Sequence, residues 1–157
     1  MSTDQDASGS AAGPGRLGDR ERELFLAEPH VAIVSVADDG GRPPATVPTW
    51  YAYEPGGTIT LVTRQGKRKS RLIRGAGALS LSVQRAQVPY RYATVEGTVV
   101  RQQPAERDDL VVVLRRYLPH DAVDSWVEWE LRGGNGNGPP EVVEIRPDRW
   151  LTGDFGG

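Results

Sequence analysis

The chain has no cysteine. That excludes disulfides, thiolate metal sites and a cysteine nucleophile, and it leaves the redox compartment undetermined. Histidine is almost as scarce: His30 and His120 lie far apart and lack metal-ligand spacing. No apolar run approaches the ~20 residues that cross a bilayer. The opening "MSTDQDASGSAAGPG" lacks the charged and apolar regions of a signal peptide, so a cytoplasmic location is expected. Surplus positive charge is missing too. Lys and Arg total 19 against 21 Asp and Glu, for a net charge of -2. A nucleic-acid domain would be basic, so neither nucleic acid nor membrane is an expected partner.

What remains, 157 residues of which 38% are hydrophobic, is enough for one domain with a real core. Residues 1–16 carry no large apolar group beyond the initial Met and read as a disordered tail, followed by a domain over 17–157. A short helix is expected from Asp19, as N-cap, to Ala27, stopped by Pro29. Strands follow: "HVAIVSVA", then "TVPTWYAY" after a "DDGG" turn, then "TITLVT" after "EPGG". Pro48 inside the second strand marks an edge or a bulge, because proline cannot donate to a ladder. Leu72 and Ile73 anchor a helix ended by Gly75 and Gly77. "ALSLSVQ" and "YRYATVEGTVVRQ" are the next strands, with Gly97 as a bulge or bend. A helix beginning at Pro104, a second helical stretch with Trp126 and Trp129, a glycine-rich loop and a sixth strand "EVVEIRP" complete the chain. The fold class is mainly β with short peripheral helices, a six-stranded antiparallel barrel. Trp126 and Trp129 are expected to fill the core rather than cap a substrate.

The segment "TRQGKRKSR" stands out. Lys67, Arg68, Lys69 and Arg71 fall where a helix begins, and the helix dipole is positive there. Unbalanced cations at that position are costly, so a bound anion is expected, approached through Gly66 and the first helical amides.

The order "TVPTWY", "LVT", "GKRKSRLI", "ALSLSVQ", "YRYATVEGTVV" resembles the pyridoxamine 5'-phosphate oxidase-like split barrels, over about residues 20 to 151. The resemblance implies a six-stranded split barrel, a homodimer, and a flavin or deazaflavin held between subunits, either FMN or coenzyme F(420). It implies that Thr63, Arg68 and Lys69 bind the cofactor phosphate, with Lys67 standing where relatives often have Ser. It implies that Pro48, Thr49 and Trp50 line the ring. Arg91 and Tyr92 match a segment that in some members reaches the cofactor from the other subunit, and "RPDRWL" resembles the closing strand, with Trp150 near the dimer site. The chain departs from the family at Leu72, where Asn is common, at "GAGA", and at Tyr92, where the pyridoxamine phosphate oxidases have Gln. It also lacks their arginine-bearing C-terminal motif. The deazaflavin-using branch fits these departures better than vitamin B6 oxidation does.

The implied activity is hydride transfer between the cofactor and a small organic substrate. No catalytic residue is assigned; Tyr51, Tyr53, Tyr90 and Tyr92 are candidate proton donors. Arg64, Lys67, Arg71 and Arg74 would suit the glutamate tail of F(420). The alternative is a non-catalytic module binding a flavin or a haem.

Overall fold

The computed structural model describes residues 15–156. Of the tail expected over 1–16, only Gly15 and Arg16 fall within them, and Gly15 bridges Asp154. The helix α1 spans Asp19–Ala27, with Gly18 rather than Asp19 as its cap residue and Glu21 reaching back to the Gly18 amide. The strands are β1 (Ala32–Val36), β2 (Ala45–Thr49), β3 (Tyr51–Tyr53), β4 (Ile59–Arg64), β5 (Ala78–Arg85), β6 (Arg91–Pro104) and β7 (Pro140–Asp154). Helix α2 (Arg68–Ala76) follows β4, and α3 (Arg107–Leu114) and α4 (Val123–Leu131) lie between β6 and β7. Pro104 closes β6 instead of opening α3, and Gly75 lies inside α2, so Gly77, in the left-handed region, is the residue that ends the helix.

Seven strands form one antiparallel sheet in the order β2-β1-β5-β6-β7-β4-β3, where six strands were expected. The extra strand comes from the break at Trp50. Pro48 sits on edge strand β2, where its missing N–H is harmless, and after Trp50 the chain leaves β1 and pairs with β4. The two edges of the sheet are therefore joined by a single residue and cannot lie more than about 7 Å apart there. The sheet must curl until its edges nearly meet, without a ladder between them: an open, split barrel.

Alternation along the strands fills the interior. Val34, Val36, Ile59, Leu61, Leu81, Val83, Val95, Val143 and Ile145 are all buried in one cluster. Phe25 and Leu26 of α1 join it, as do Leu72 and Ile73 of α2. A second cluster, Leu110, Leu114, Val123 and Val127, packs α3 and α4 against Val62 on the outer face of β4. Gly97 lies at a register shift between β6 and β7, and a Cβ there would come within 2.3 Å of Ile145 Cγ2 and 2.8 Å of the Arg146 carbonyl, so only glycine fits. No helix among the described residues is long and apolar enough to cross a membrane.

Candidate functional site

Strand β4 delivers Thr63 inward, where it is buried, and Arg64 outward toward α4. The chain then turns through Gly66, at φ 74°, and enters α2 from an extended Lys67. The turn is pinned by Gln65, whose amide donates to Pro139 O at 2.9 Å and whose side chain donates to Pro140 O at 3.1 Å. Helices α1 and α3 carry acids in their first turns and side chains reaching back to their cap amides. Helix α2 has neither: no acid lies in its first turn and no side chain caps it. The amides of Arg68, Lys69 and Ser70 meet no acceptor among the described residues. This is an unsatisfied, dipole-positive end.

The cations crowded around it divide into two sets. Arg68 donates through Nη2 to Asp38 Oδ1 at 2.7 Å, while Asp38 Oδ2 accepts the amides of Gly40 and Arg42, each at 2.8 Å. The Arg68 hydrogen bond, helped by those two amides, holds the Asp38 carboxyl down at about 2. Arg71 pairs with Asp39 at 2.8 Å, an exposed contact of little worth. Arg74 reaches the buried Glu141 at 3.0 Å, and Arg64 grips the buried Glu130 with both Nη atoms, at 3.0 and 2.7 Å. Arg64, Arg71 and Arg74, expected to be free for an acidic tail, are therefore each engaged by a carboxylate. Lys67 and Lys69 have no carboxylate partner among the described residues. Lys69 is half-buried, and burial, with Arg64 nearby, pulls its ammonium below the usual lysine range.

The floor beneath α2 is a buried polar network. Glu141 Oε1 accepts Ser70 Oγ at 2.6 Å and Gln102 Nε2 at 2.9 Å, and Gln102 also donates to Ser70 O. These bonds tie α2 to β6 and β7 and fix where its N-terminus points.

Thr49 and Trp50 border this region. With Val62, Leu110, Leu114 and the Arg64–Glu130 pair, they line a cleft of about 160 Å³ between the barrel and the outer helices. Trp50 stacks on Tyr117, with centroids 4.8 Å apart and planes at 4°, and tilts against Trp126 at 5.8 Å. Trp126 is 40% exposed on the cleft rim rather than in the core, because α4 turns Val123 and Val127 inward instead. Trp129 is half-buried beneath the Arg64 guanidinium, 5.6 Å from its ring centroid.

Arg91 and Tyr92 are not brought to this region. They start β6, whereas Gln102 near its other end touches Ser70; eleven residues of strand separate Arg91 from Gln102, about 35 Å. Arg91 pairs with Asp154 at 3.1 Å, and the Tyr92 ring lies over Gly153, where a Cβ would clash with it at 2.3 Å. Three of the four candidate proton donors have protein acceptors of their own. Tyr51 is buried, its single hydroxyl proton lies within reach of both Leu26 O and Glu28 O, and burial pushes its hydroxyl far above the usual tyrosine range. Tyr53 donates to Glu23 and is pushed up to about 12, chiefly by burial. Tyr90 donates to Gln84 Oε1 on the exposed surface. His30 Nε2 contacts Phe25 O at 3.0 Å, and among the described residues no three His, Asp or Glu side chains gather as a metal site.

Residue patterns alone pointed to the cations but missed their partners. Asp38 and Asp39 had the look of turn residues, and nothing local distinguishes Glu130 or Glu141 from other acids on the outside of a helix or strand.

No curated protein matches the sequence. Several solved structures share the fold. A conserved hypothetical protein from Mycobacterium tuberculosis superposes with a TM-score of 0.67 at 18% identity, covering 88% of this chain and 86% of that one. An FAD-binding protein from Mesorhizobium loti gives 0.62 at 19% identity, covering 90% and 96%. An F420 reductase gives 0.57 at 19% identity, covering 82% and 94%. The sequence pattern of the family described as pyridoxamine 5'-phosphate oxidase matches residues 19–153, nearly the whole described chain, so this protein belongs to that family.

Proposed function

We propose that this protein is an oxidoreductase that binds a flavin-type cofactor, FMN or coenzyme F(420), and transfers hydride between it and a small organic substrate, acting as a homodimer. The observation that carries the reading is the uncapped N-terminus of α2, flanked by Lys67 and Lys69 without carboxylate partners, in a chain of this family. A ribityl phosphate fits it. The three free amides would donate to its oxygens, Thr63 stands at the end of the adjoining strand, and Lys69 would add a charge already half desolvated. Arg68 spends only Nη2 on protein acceptors, so the rest of its planar fork remains available to a phosphate. The backbone of Pro48, Thr49 and Trp50 would line the ring of such a cofactor.

When bound, the ring supplies the hydride chemistry. This chain supplies orientation and a dry wall: the Trp50–Trp126 surface and the apolar side chains of α3 exclude water from one side of the cleft. Tyr51 and Tyr53 are committed to other acceptors, so neither serves as the proton donor there.

Two observations support the dimer. Arg91 and Tyr92 are too far from α2 to share a cofactor with it in one chain, whereas in a second subunit they could reach it. The outer face of β2, β1, β5, β6 and β7 also carries a register-aligned row, Pro48, Ile33, Ser82, Thr94 and Leu151. Ile33 is 42% and Leu151 63% exposed, apolar surface of the kind a second subunit covers.

The test is titration of the purified protein with FMN and with F(420), followed by absorption, for the wild type and Lys69→Ala. One charged hydrogen bond is worth roughly 1.5–3 kcal/mol, so affinity should fall by about 10- to 150-fold while circular dichroism stays unchanged. A protein that binds neither cofactor, or a Lys69→Ala variant of unchanged affinity, refutes the proposal.

A further inference from the structure

The cleft beside Trp50 is set by this chain's own helices and has a distinct chemistry. Its floor and walls are Val62, Leu110, Val113 and Leu114, closed at the mouth by the Trp50 and Trp126 rings. The polar side chains that reach it are already satisfied. Thr49 Oγ1 donates to Trp50 O at 3.1 Å. Arg64 and Glu130 use both Nη atoms and both carboxylate oxygens on each other, and Arg64 Nη1 also meets Gly138 O at 3.3 Å. The side-chain relative exposures of 26% and 7% leave this pair little water to fall back on. An ionic ligand would have to break the pair and leave a buried charge without its partner. A neutral ring has only water to displace, and it gains the exposed Trp126 face, left 40% uncovered although it is one of the largest apolar side chains in the chain. At about 160 Å³ the cleft is well below the ~300 Å³ typical of larger ligand sites, which restricts the occupant to a single ring.

We infer that this cleft is the substrate site and that it takes an uncharged, single-ring aromatic molecule, held by stacking and shape rather than by a charge. The inference rests on the reading above, since it places the substrate next to the Pro48–Trp50 segment.

Nitrobenzene and benzoate test it, because they are nearly isosteric and differ in charge. Calorimetric titration of the full-length protein should show nitrobenzene binding at least about tenfold more tightly than benzoate, and Trp126→Ala should weaken nitrobenzene binding several-fold. Trp126 is on the rim, so its removal should leave the fold intact, which circular dichroism checks. Benzoate binding as tightly as nitrobenzene would make Arg64 the anchor and overturn the neutral-ligand claim. No binding of nitrobenzene, or binding indifferent to Trp126→Ala, would overturn the site itself. Cofactor titration of the same preparation reads the other proposal separately: a protein that takes up nitrobenzene but neither FMN nor F(420) loses its assigned cofactor and keeps this cleft.

Discussion

Glu141 offers the sharpest test of how α2 is held in place. Its carboxylate is buried and accepts from Ser70, Gln102 and Arg74. In Glu141→Ala the three donors fare differently. The Ser70 hydroxyl is buried and loses its acceptor, which costs roughly 1–3 kcal/mol. The Gln102 amide keeps its bond to Ser70 O and loses the other, about 1 kcal/mol. The Arg74 side chain is 60% exposed and rehydrates, so it adds little. The total is about 2–4 kcal/mol, or a fall in Tm of roughly 5–15 °C for a domain of this size. Glu141→Gln retains one acceptor oxygen and should lose about half as much. Urea unfolding followed by tryptophan fluorescence measures both. A Glu141→Ala variant within about 0.5 kcal/mol of wild type, or one whose effect simply adds to that of Ser70→Ala in a double-mutant cycle, would refute the idea that these groups act as one network. Cofactor affinity should fall along with stability, because the same bonds set the direction of the α2 N-terminus.

Two further outcomes are expected. Gly97→Ala forces a methyl to within 2.3 Å of Ile145 Cγ2 and 2.8 Å of a backbone carbonyl, so it should destabilise by about 1–3 kcal/mol in the same urea assay. Asp38, held down at about 2 in the folded protein against an ordinary aspartate value of 3.8, contributes stability that is present above about pH 4 and lost as pH falls toward 2. Melting curves from pH 5 to 2 should therefore fall less steeply for Asp38→Asn than for the wild type, and parallel slopes would show that the Arg68 contact contributes no pH-dependent stability.

Much of the fold could be read locally. The limits of α1, the turn at "DDGG" and the αL glycine after α2 each depend on residues within a turn or so of one another. The split of "TVPTWYAY" into β2 and β3 could not be read this way. Its cause is the set of partners met on either side of Trp50: β1 before it, β4 after it, and Tyr117 and Trp126 against its ring, all except β4 and β1 more than sixty residues away in sequence. The placing of Trp126 on the rim has the same origin, since only the packing of Val123 and Val127 decides which side of α4 faces in.

For the site, the sequence by itself determined that cations meet the start of a helix, because charge and helix polarity are local properties. Tertiary structure alone decided which of those cations remain available. Arg68, Arg71, Arg64 and Arg74 find carboxylates 30, 32, 66 and 67 residues away, leaving Lys67 and Lys69 without one. A charge run shows its sign in one dimension, but its neutralisation depends on distances in three, and those are set by where the curled sheet brings Asp38, Asp39, Glu130 and Glu141.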